Sequence, residues 1–396
     1  MVFQRKTPSH KKILDIAHHN TICSQLLSWI PGHVFQKLEC KYSCGRAPRK
    51  LGFKQHFFIM AFIHLAARRS LRDGVRSLMA AGKRLFHFGL KTVARSTVAD
   101  ANASRPVGYF QDLFGEMYSR CVPLAPKHKF RFKLKLYSMD STIIKLCLTL
   151  FPWAKYRSLS GGVKIHTVLD HHGEIPAFID ITEAKKHDFT AARRFSLPKG
   201  SIVTFDKGYY CYTWFAELCA NGIFFVTRLK RNAQYKLIKR NSVRHKTGVT
   251  SDHIVEVRAG NDTLRLRRIG YRDEETGKRY EFLTNHFALA AKTIALVYKD
   301  RWQIELFFKE LKQNLRIKHF VGNSEHAVMI QIFAALTVYL LLAYQKFCSR
   351  LGISVQQLFE LIQLNVLGMF PLAELLNPPP QKLRDSYKFS MLELVH

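Results

Sequence analysis

The sequence predicts an α/β fold, in which a mixed β-sheet flanked by helices follows an α-helical N-terminal region. Hydrophobic residues make up 47% of the 396 residues, which is enough to bury a sizeable core. From residue 129 onward the apolar residues alternate with polar ones, a spacing typical of strands. Predicted strands and helices then follow each other along the chain, as in an α/β domain.

The N-terminal region, residues 1–128, is predicted to be helical and basic. The segment Phe53–Ala67 has the composition of a buried helix. Ser70 followed by Asp73 is a capping-box-like start of a second helix, and a polar helix is predicted over Val93–Asn102. Two helices joined by a short turn resemble a helix-turn-helix DNA-binding unit. An ordinary polar surface is the alternative interpretation.

The central part of the chain has a regular order of predicted elements. Alternating apolar residues predict a first strand that begins near Phe130 and ends at Asp140. The later elements are the strands Val163–Leu169 and Ile175–Ile181, a helix His187–Phe195, a strand Ile202–Phe205, a helix Tyr212–Ala220 and a strand Ile223–Leu229. Three strands, helix, strand, helix, strand is the order of a ribonuclease H-like core.

A basic segment, residues 231–282, interrupts this order. It contains short alternating pieces such as Ile254–Val257 and Leu264–Ile269, and a polar turn at Asp273–Gly277. These features predict a small β-rich insertion.

Two helical stretches follow the insertion. One long helix is predicted over residues 290–314, and the apolar segment Ala327–Tyr344 comes next. This segment could span a membrane by length alone, but it continues an amphipathic segment and contains Gln331, so we interpret it as a buried core helix. The core domain is therefore predicted over residues 129–350, interrupted by the insertion, with a C-terminal tail over 351–396.

The charge of the chain predicts a polyanionic partner. The formal net charge is +33 and the pI is near 10.0. Residues 1–137 carry 25 Lys and Arg against 6 Asp and Glu, and residues 228–280 carry 15 against 6. Two basic regions around a more neutral centre fit DNA held at more than one place. The alternative, a ribosomal or merely basic protein, fits less well because such chains are usually shorter and poorer in aromatic residues.

The 8 cysteines are scattered, and no secretory signal precedes them. We therefore expect reduced thiols in a cytoplasmic protein. Cys40 and Cys44 lie near His33, but no second pair of ligands follows at zinc spacing, so a structural zinc site is not predicted.

Two aspartates follow predicted strands. Asp140 ends the first strand, and Asp206 ends the strand Ile202–Phe205 and is followed by Gly208. Taken singly, an aspartate in such a place is more often a turn former or a helix cap than a catalytic group.

The helix predicted over residues 290–314 carries four residues that change this interpretation. Tyr298, Arg301, Glu305 and Lys312 are offset by 0, 3, 7 and 14 residues, and at about 100° per residue they fall on one face roughly 60° wide. An exposed face of salt bridges is the alternative, although such faces seldom include a tyrosine in the same narrow stripe.

This spacing, Tyr298-x2-Arg301-x3-Glu305-x6-Lys312, resembles the YREK signature of the insertion-sequence-four family of bacterial transposases. The first acidic motif of that family is similar to Asp140-Ser-Thr here. The resemblance extends over about residues 50–345.

Two more segments are similar to the family. Asp206-Lys-Gly-Tyr209 resembles its second acidic motif, and the segment Thr182–Asp188 resembles the stretch between the two motifs. The family implies a ribonuclease H-like fold with a β insertion between the second aspartate and the glutamate.

The resemblance implies a three-carboxylate site of the DDE type. Asp140, Asp206 and Glu305 are then the catalytic residues and the ligands of two Mg²⁺ ions, with Mn²⁺ as a possible substitute. Hard Mg²⁺ prefers carboxylate oxygens, and two such ions can activate water and neutralise the phosphate at which the bond breaks.

The other three signature residues, Tyr298, Arg301 and Lys312, are then expected to bind DNA, and the two cations to hold phosphates beside the scissile bond. Family members use an aromatic residue of the insertion, commonly tryptophan, to hold a flipped base. The insertion has no tryptophan, and the sequence does not choose among its tyrosines, which are Tyr235, Tyr271 and Tyr280.

The family implies cut-and-paste transposition through a DNA hairpin. The expected partners are double-stranded DNA, as terminal inverted repeats and as target, and a second copy of the chain in a synaptic complex. We expect a bacterial, nucleoid-associated, cytoplasmic protein and no membrane partner. The alternatives are a ribonuclease H-like nuclease or resolvase with the same metal site, and an inactive DNA-binding protein descended from a transposase. The three intact acidic positions argue against the second.

Overall fold

The computed structural model describes residues 20–43, 50–157, 160–185, 188–243, 247–315, 317, 319–349 and 352–376. The N-terminal region is helical, as predicted. Its helices are α1 (Ile22–Leu27), α2 (Gly32–Tyr42), α3 (Phe53–Leu65), α4 (Leu71–Met79), a 3-10 helix (Gly82–Phe88), α5 (Arg95–Ser104) and α6 (Val107–Cys121).

The rest of the chain alternates strands and helices. The next elements are β1 (Leu136–Leu146), β2 (Lys155–Arg157), β3 (Ser160–Asp170), β4 (Ile175–Glu183), α7 (Asp188–Ala192), β5 (Ile202–Phe205), α8 (Tyr212–Ala220) and β6 (Phe224–Arg228). Then follow β7 (Lys236–Arg240), β8 (Val249–Ala259), β9 (Asp262–Arg272), β10 (Arg279–Thr284), α9 (Ala291–Asp300), α10 (Gln303–Gln313), α11 (Glu325–Ser349), α12 (Val355–Leu364) and α13 (Leu372–Leu376).

Some predicted features fall partly outside the described residues. These are residues 1–19 and 44–49 of the predicted N-terminal region, which include Cys44, the first residue of the predicted helix His187–Phe195, part of the motif Thr182–Asp188, and residues 351 and 377–396 of the predicted tail.

The helices α4 and α5 form where the sequence predicts them, but their connection differs. The Ser70 side chain accepts a hydrogen bond from the backbone N–H of Asp73 at 3.1 Å and so caps α4. The α5 helix ends at Arg105, whose extended backbone is the conformation favoured before a proline. The prediction of a short turn between the two helices is wrong, because the 3-10 helix Gly82–Phe88 separates them.

The first strands form the sheet order β4-β3-β1-β5-β6. β3 lies antiparallel to β1, and β5 and β6 run parallel to β1 and to each other. This is the ribonuclease H-like arrangement that the element order predicts. Both parallel crossovers contain helices, α7 and α8, as parallel pairing requires.

The predicted bounds of the first strand are wrong. β1 starts at Leu136, and Asp140 lies inside it instead of at its end. Phe130 and Phe132 precede the strand and pack against the apolar layer beneath α9. β1 continues to Leu146 because its antiparallel partner β3 stays paired along its whole length, while its parallel partner β5 ends beside Met139.

The insertion joins the same sheet. β10 lies antiparallel to β6, and β9, β8 and β7 extend the sheet to ten strands. The outermost strand, β7, is exposed at every residue.

Helices cover both faces of the sheet. The odd-numbered residues of β1, such as Tyr137 and Met139, pack with α8 in one core. Leu136 packs with α9 on the opposite face, and the later residues Ile144 and Leu146 join the core around α10 and α11. Because alternate strand residues share a face, Asp140 points to the side covered by α9 and α10.

The prediction of a single helix over residues 290–314 is wrong, since a turn at Arg301 and Trp302 separates α9 from α10. The backbone there makes bonds between residues three apart, including N–H of Arg301 to the carbonyl of Tyr298 and N–H of Ile304 to the carbonyl of Arg301, each 3.1 Å. Such 3-10 bonds tighten the chain and redirect α10.

α11 is the central helix of the protein. Within the described residues it is the one helix long and apolar enough to cross a membrane, and 89% of its apolar window is buried. It packs against α3, α5, α6, α12 and β4. Residues 352–376 of the predicted tail include α12 and α13, which pack against α3, α11 and α1.

Truncating α11 tests its role as the core helix. Leu336 is fully buried, so Leu336→Ala leaves a cavity and should lower the free energy of unfolding by about 2–5 kcal/mol. Leu364→Ala is the matched control, because Leu364 of α12 is 83% exposed. Urea titration of both variants measures the difference. A cost for Leu336→Ala no larger than that of the control would contradict this packing.

Candidate active site

The two aspartates predicted as site residues lie side by side at the same edge of the sheet. Met139 of β1 pairs with Phe205 of β5 in parallel register, and the next residue of each chain segment is Asp140 and Asp206. β5 ends there, so both carboxylates lie where two adjacent parallel strands part. In open α/β sheets this edge is where ligands usually bind.

Arg301 connects the first aspartate to the glutamate. Its Nη1 donates to Oδ2 of Asp140 at 2.9 Å, and its Nη2 donates to Oε1 of Glu305 at 2.8 Å. The Arg301 side chain is 13% exposed, so both pairs are shielded from solvent. One guanidinium therefore holds a carboxylate of β1 and a carboxylate of α10 next to each other.

Tyr298 lies against Arg301 at the end of α9. The guanidinium carbon of Arg301 lies 5.7 Å from the centre of the Tyr298 ring, within cation–π range. On the other side the ring packs against Phe282 with centroids 5.0 Å apart. Burial raises the pKa of Tyr298 to about 12, so its hydroxyl stays protonated at neutral pH.

Lys312 reaches the same strand from the far end of α10. Its Nζ donates a hydrogen bond to Oγ1 of Thr142, which is two residues beyond Asp140 in β1 and so shares its face. Arg301, Glu305 and Lys312 therefore lie along one side of β1 despite the break between the helices, and Tyr298 joins them through Arg301.

The pKa of Asp140 is raised from 3.8 to about 6. Burial is the largest cause, and the like charges of Glu305 and Asp206 raise it further. Arg301 and a hydrogen bond from the backbone N–H of Ser141 oppose this rise without cancelling it. The carboxylates are thus close enough to repel each other, and one guanidinium does not neutralise all three.

The donor atoms of this site suit a hard divalent cation. Asp140, Asp206 and Glu305 offer carboxylate oxygens, the ligands that Mg²⁺ and Mn²⁺ prefer. The pKa of Asp140 is raised mainly by burial and further by the like charges of Glu305 and Asp206, and a bound cation would oppose both effects. In the part of the chain that the structure describes, no group of three or more His, Cys, Asp or Glu side chains converges at metal-binding distances. The guanidinium of Arg301 lies between the carboxylates of Asp140 and Glu305 instead.

The structure exposes an aromatic residue that the sequence reasoning did not single out. Trp302 is 57% exposed in the turn between Arg301 and α10. The sequence contained a signal for Trp302, since this residue directly follows Arg301 of the signature. Of the insertion tyrosines, Tyr235 is 37% exposed whereas Tyr271 is buried. Tyr280 is half-buried and stacks on Phe282.

The strand order and the acidic residues at the edge of the sheet define the chain as a ribonuclease H-like protein of the DDE class. Its sequence matches the profile of the family described as "Transposase DDE domain" over residues 131–341. The chain belongs to this family, whose members use divalent metal ions. Residues 18–91 match a second profile, a domain of unknown function called DUF4372.

Curated relatives carry the same family name. A putative transposase, y4zB, from Sinorhizobium fredii is 33% identical over 72% of this chain and 80% of its own length. A probable transposase for insertion sequence element IS5377 from Geobacillus stearothermophilus is 29% identical over 73% and 74%. A putative transposase for element IS4SA from a Synechocystis species is 26% identical over 64% and 72%.

A solved structure is also similar to this chain. It is the cryo-EM structure of a piggyBac transposase synaptic complex with hairpin DNA. The two chains are 13% identical with a TM-score of 0.45, and the match covers 93% of this chain and 84% of the other.

The raised pKa of Asp140 predicts how stability depends on pH. The folded protein holds this proton more tightly than the unfolded chain, so stability falls as pH rises from 3.8 towards about 6, and the loss is complete above that. Asp140→Asn removes the buried charge. Without divalent ions the variant should be more stable than the parent at pH 8 by about 2 kcal/mol. This gain should vanish near pH 4.

Urea unfolding between pH 4 and 8, in the presence of a chelator, measures this difference. Asp273→Asn is a control of opposite sign, because a hydrogen bond from the backbone of Thr276 lowers the pKa of Asp273. That variant should lose stability at pH 8 and approach the parent at low pH. An Asp140→Asn variant less stable than the parent at pH 8 would mean that attraction to Arg301 outweighs burial.

Proposed function

We propose that this protein is the transposase of an insertion sequence. It binds the terminal inverted repeats and catalyses phosphodiester cleavage and strand transfer in a cut-and-paste reaction. The observation that supports this most is the placement of Asp140, which follows a strand residue paired beside the end of β5 and so lies next to Asp206, and which Arg301 joins to Glu305, in a chain of the DDE transposase family.

In this proposal the three carboxylates hold two Mg²⁺ ions, which Mn²⁺ can replace. The ions supply an activated nucleophile and neutralise charge on the phosphate. The protein supplies the placement of the ligands. β1 and β5 present Asp140 and Asp206 from adjacent strands, and α10 presents Glu305 from its first turn. Three carboxylates from three separate elements leave room for substrate oxygens.

The DNA-binding part of the proposal rests on exposed basic residues. The N-terminal helices carry exposed cations on α4, on the following 3-10 helix and at the start of α5, namely Arg72, Arg76, Lys83, Arg84 and Arg95. The edge strand β7 adds Lys236, Lys239 and Arg240, all exposed. Phosphates bound at two separated surfaces would fix an end DNA across the active site.

Four residues near the acidic site have proposed roles in holding the bent strand. Arg301, Tyr298 and Lys312 contact the phosphates while the free 3′-OH turns to attack the opposite strand and form a hairpin. The exposed ring of Trp302, next to Arg301 in sequence, offers an aromatic face on which an unpaired base can stack. In the insertion, Tyr235 is the tyrosine whose exposure suits the same task.

Two ends must be joined in one complex, so we infer that the chain acts as a homodimer on DNA.

The chain's cysteines are free in the described part of the structure, where Cys23 and Cys121 are buried thiols. Free thiols persist in a reducing compartment, and we propose that the protein is bacterial, cytoplasmic and associated with the nucleoid.

Removing each carboxylate tests the proposed chemistry. Asp140→Ala, Asp206→Ala and Glu305→Ala should each abolish cleavage of end DNA, since each removes a metal ligand. Binding of the same DNA should stay nearly intact, because the basic surfaces are unchanged. Electrophoretic assays of nicking and of binding measure both.

The control for Glu305→Ala is Glu310→Ala on the same helix, which should keep cleavage because its side chain lies about 140° around the helix axis from that of Glu305. A separate assay asks whether the parent protein joins a cut 3′ end to plasmid DNA. This strand transfer distinguishes a transposase from a nuclease or resolvase. Normal nicking by any purified acidic-site variant would remove that residue from the proposed site.

Substitutions at Arg301 and Tyr298 should differ in how they affect nicking relative to hairpin formation. A lysine cannot span two carboxylates as a guanidinium does, so Arg301→Lys should slow nicking and hairpin formation alike, each roughly 10²-fold. Tyr298→Phe removes only a hydroxyl, and the remaining ring still packs on Phe282, so this variant should slow the hairpin step more than the nick. A gel time course that resolves nicked and hairpin products decides. Equal slowing of both steps by Tyr298→Phe would remove this residue from the proposed strand-holding role.

A further inference from the structure

A buried chain of polar side chains lies between the central strands and the end of α9. Lys129 Nζ donates to Oδ1 of Asp300 at 2.6 Å, and Oδ2 of Asp300 lies 3.0 Å from Nδ1 of His171. Nε2 of His171 lies 2.6 Å from Oγ of Ser138, which lies 2.8 Å from Oγ1 of Thr204. Ser138 and Thr204 have no solvent exposure, and the side chains of His171 and Asp300 are 1% and 8% exposed.

Two members of this chain stand just before the catalytic aspartates. Ser138 precedes Asp140 by two residues in β1, and Thr204 precedes Asp206 by two residues at the end of β5. Alternate residues of a strand share a face, so each hydroxyl lies on the same face as its carboxylate. Ser138 and Thr204 are also directly paired in the parallel register.

The other end of the polar chain reaches α9, the helix just before the one that carries the third carboxylate. Asp300 is the last residue of α9 and directly precedes Arg301, whose guanidinium holds Glu305. Its partner His171 belongs to the turn between β3 and β4. The polar chain therefore links β1, which carries Asp140, and β5, which leads to Asp206, to the α9–α10 turn, which carries Arg301 and precedes Glu305.

The contact between His171 and Asp300 pairs a ring N–H with a buried carboxylate. Nδ1 of His171 donates to Oδ2 of Asp300, because an ionised carboxylate can only accept. At the other end, Oγ1 of Thr204 lies 3.2 Å from the carbonyl oxygen of Tyr137, so the hydroxyls continue the polar chain to the backbone of β1. Removing the carboxylate leaves a buried N–H without its partner, which is costly.

The contacts among Ser138, His171 and Asp300 have the connectivity of a serine hydrolase triad. An acyl-transfer role does not fit, because the hydroxyl of Ser138 is fully buried and shared with Thr204. A nucleophile must reach its substrate. The arrangement therefore acts inside the fold.

We propose that Asp300, His171, Ser138 and Thr204 form a positioning network for the acidic site. The network holds the α9–α10 turn against β1 and β5, so that Arg301 and Glu305 meet Asp140 and Asp206 in the correct arrangement. This inference rests on the proposed function. Partners that orient metal ligands from behind typically change metal affinity or activity by 10–100-fold when they are mutated, and we expect changes of that size here.

The test uses two variants of the full-length protein. Asp300→Asn keeps the side-chain size but removes the charge that faces His171, and Thr204→Val removes one hydroxyl without changing the shape. Each should weaken Mn²⁺ binding and slow cleavage by roughly 10–100-fold, while the dissociation constant for end DNA changes by less than about threefold. Thr204→Ser restores the hydroxyl and should recover both properties. Free Mn²⁺ is measured by electron paramagnetic resonance, which needs no activity.

A control separates positioning from stability. Asp252→Asn breaks another buried ion pair of the same sheet, with Arg267 at 2.7 Å, in the insertion. It should cost stability and leave Mn²⁺ affinity and cleavage rate unchanged when measured where urea titration shows the protein folded. If Asp300→Asn and Thr204→Val behave in the same way, the network only stabilises the fold and the inference is wrong. If Asp300→Asn does not fold, Thr204→Val decides alone.

The same assay distinguishes failure of the proposed function from failure of this inference. Asp206→Asn should abolish cleavage if the acidic site is catalytic. If that variant cleaves normally, the proposed function fails, whatever the network variants show. If it is inactive while Asp300→Asn and Thr204→Val match the parent in Mn²⁺ binding and cleavage, only the inference fails.

Discussion

The bridge from Arg301 to Asp140 and Glu305 is the interaction on which the acidic site depends. It joins β1 to α10, two elements that lie about 160 residues apart in sequence. A largely buried guanidinium can make two charge-assisted bonds at once, and these are among the stronger hydrogen bonds in proteins. Its charge also lowers the pKa of Asp140, and so offsets part of the rise that burial and, to a smaller extent, the like charges of Glu305 and Asp206 cause. A divalent cation placed among the same oxygens would serve the same electrostatic purpose, so Arg301 and metal ions are expected to share these ligands.

The sheet order and several elements could be predicted because their signals are local. β5 and α8 have the bounds that the sequence predicts, since each is a short apolar run ended by residues that break the pattern. The start of β1 could not be predicted from alternation, because Phe130 and Phe132 bury themselves without pairing to another strand. The length of β1 depends on its partner β3, which is a non-local contact that a local pattern does not report.

The acidic site could likewise be predicted only in part from the sequence. Helical spacing in the sequence grouped Tyr298, Arg301, Glu305 and Lys312. In the structure Arg301 and Lys312 contact β1, Arg301 holds Glu305, and Tyr298 lies against Arg301. The spacing argument assumed one straight helix, whereas a turn follows α9. Sequence alone also gave no sign that Asp300 belongs to a buried network, because its partners come from the β3–β4 turn, β1 and β5. The assignment of these residues to catalysis, metal binding and DNA binding remains a prediction.

The most direct test of the account is a structure of the protein with end DNA and Mn²⁺, measured at an X-ray wavelength where manganese scatters anomalously. We expect two anomalous peaks about 3.5–4 Å apart, with ligands from Asp140, Asp206 and Glu305, and with Arg301 turned from at least one carboxylate towards a DNA phosphate. Manganese bound elsewhere, with Arg301 still bridging Asp140 and Glu305 beside a correctly bound DNA end, would contradict the central claim.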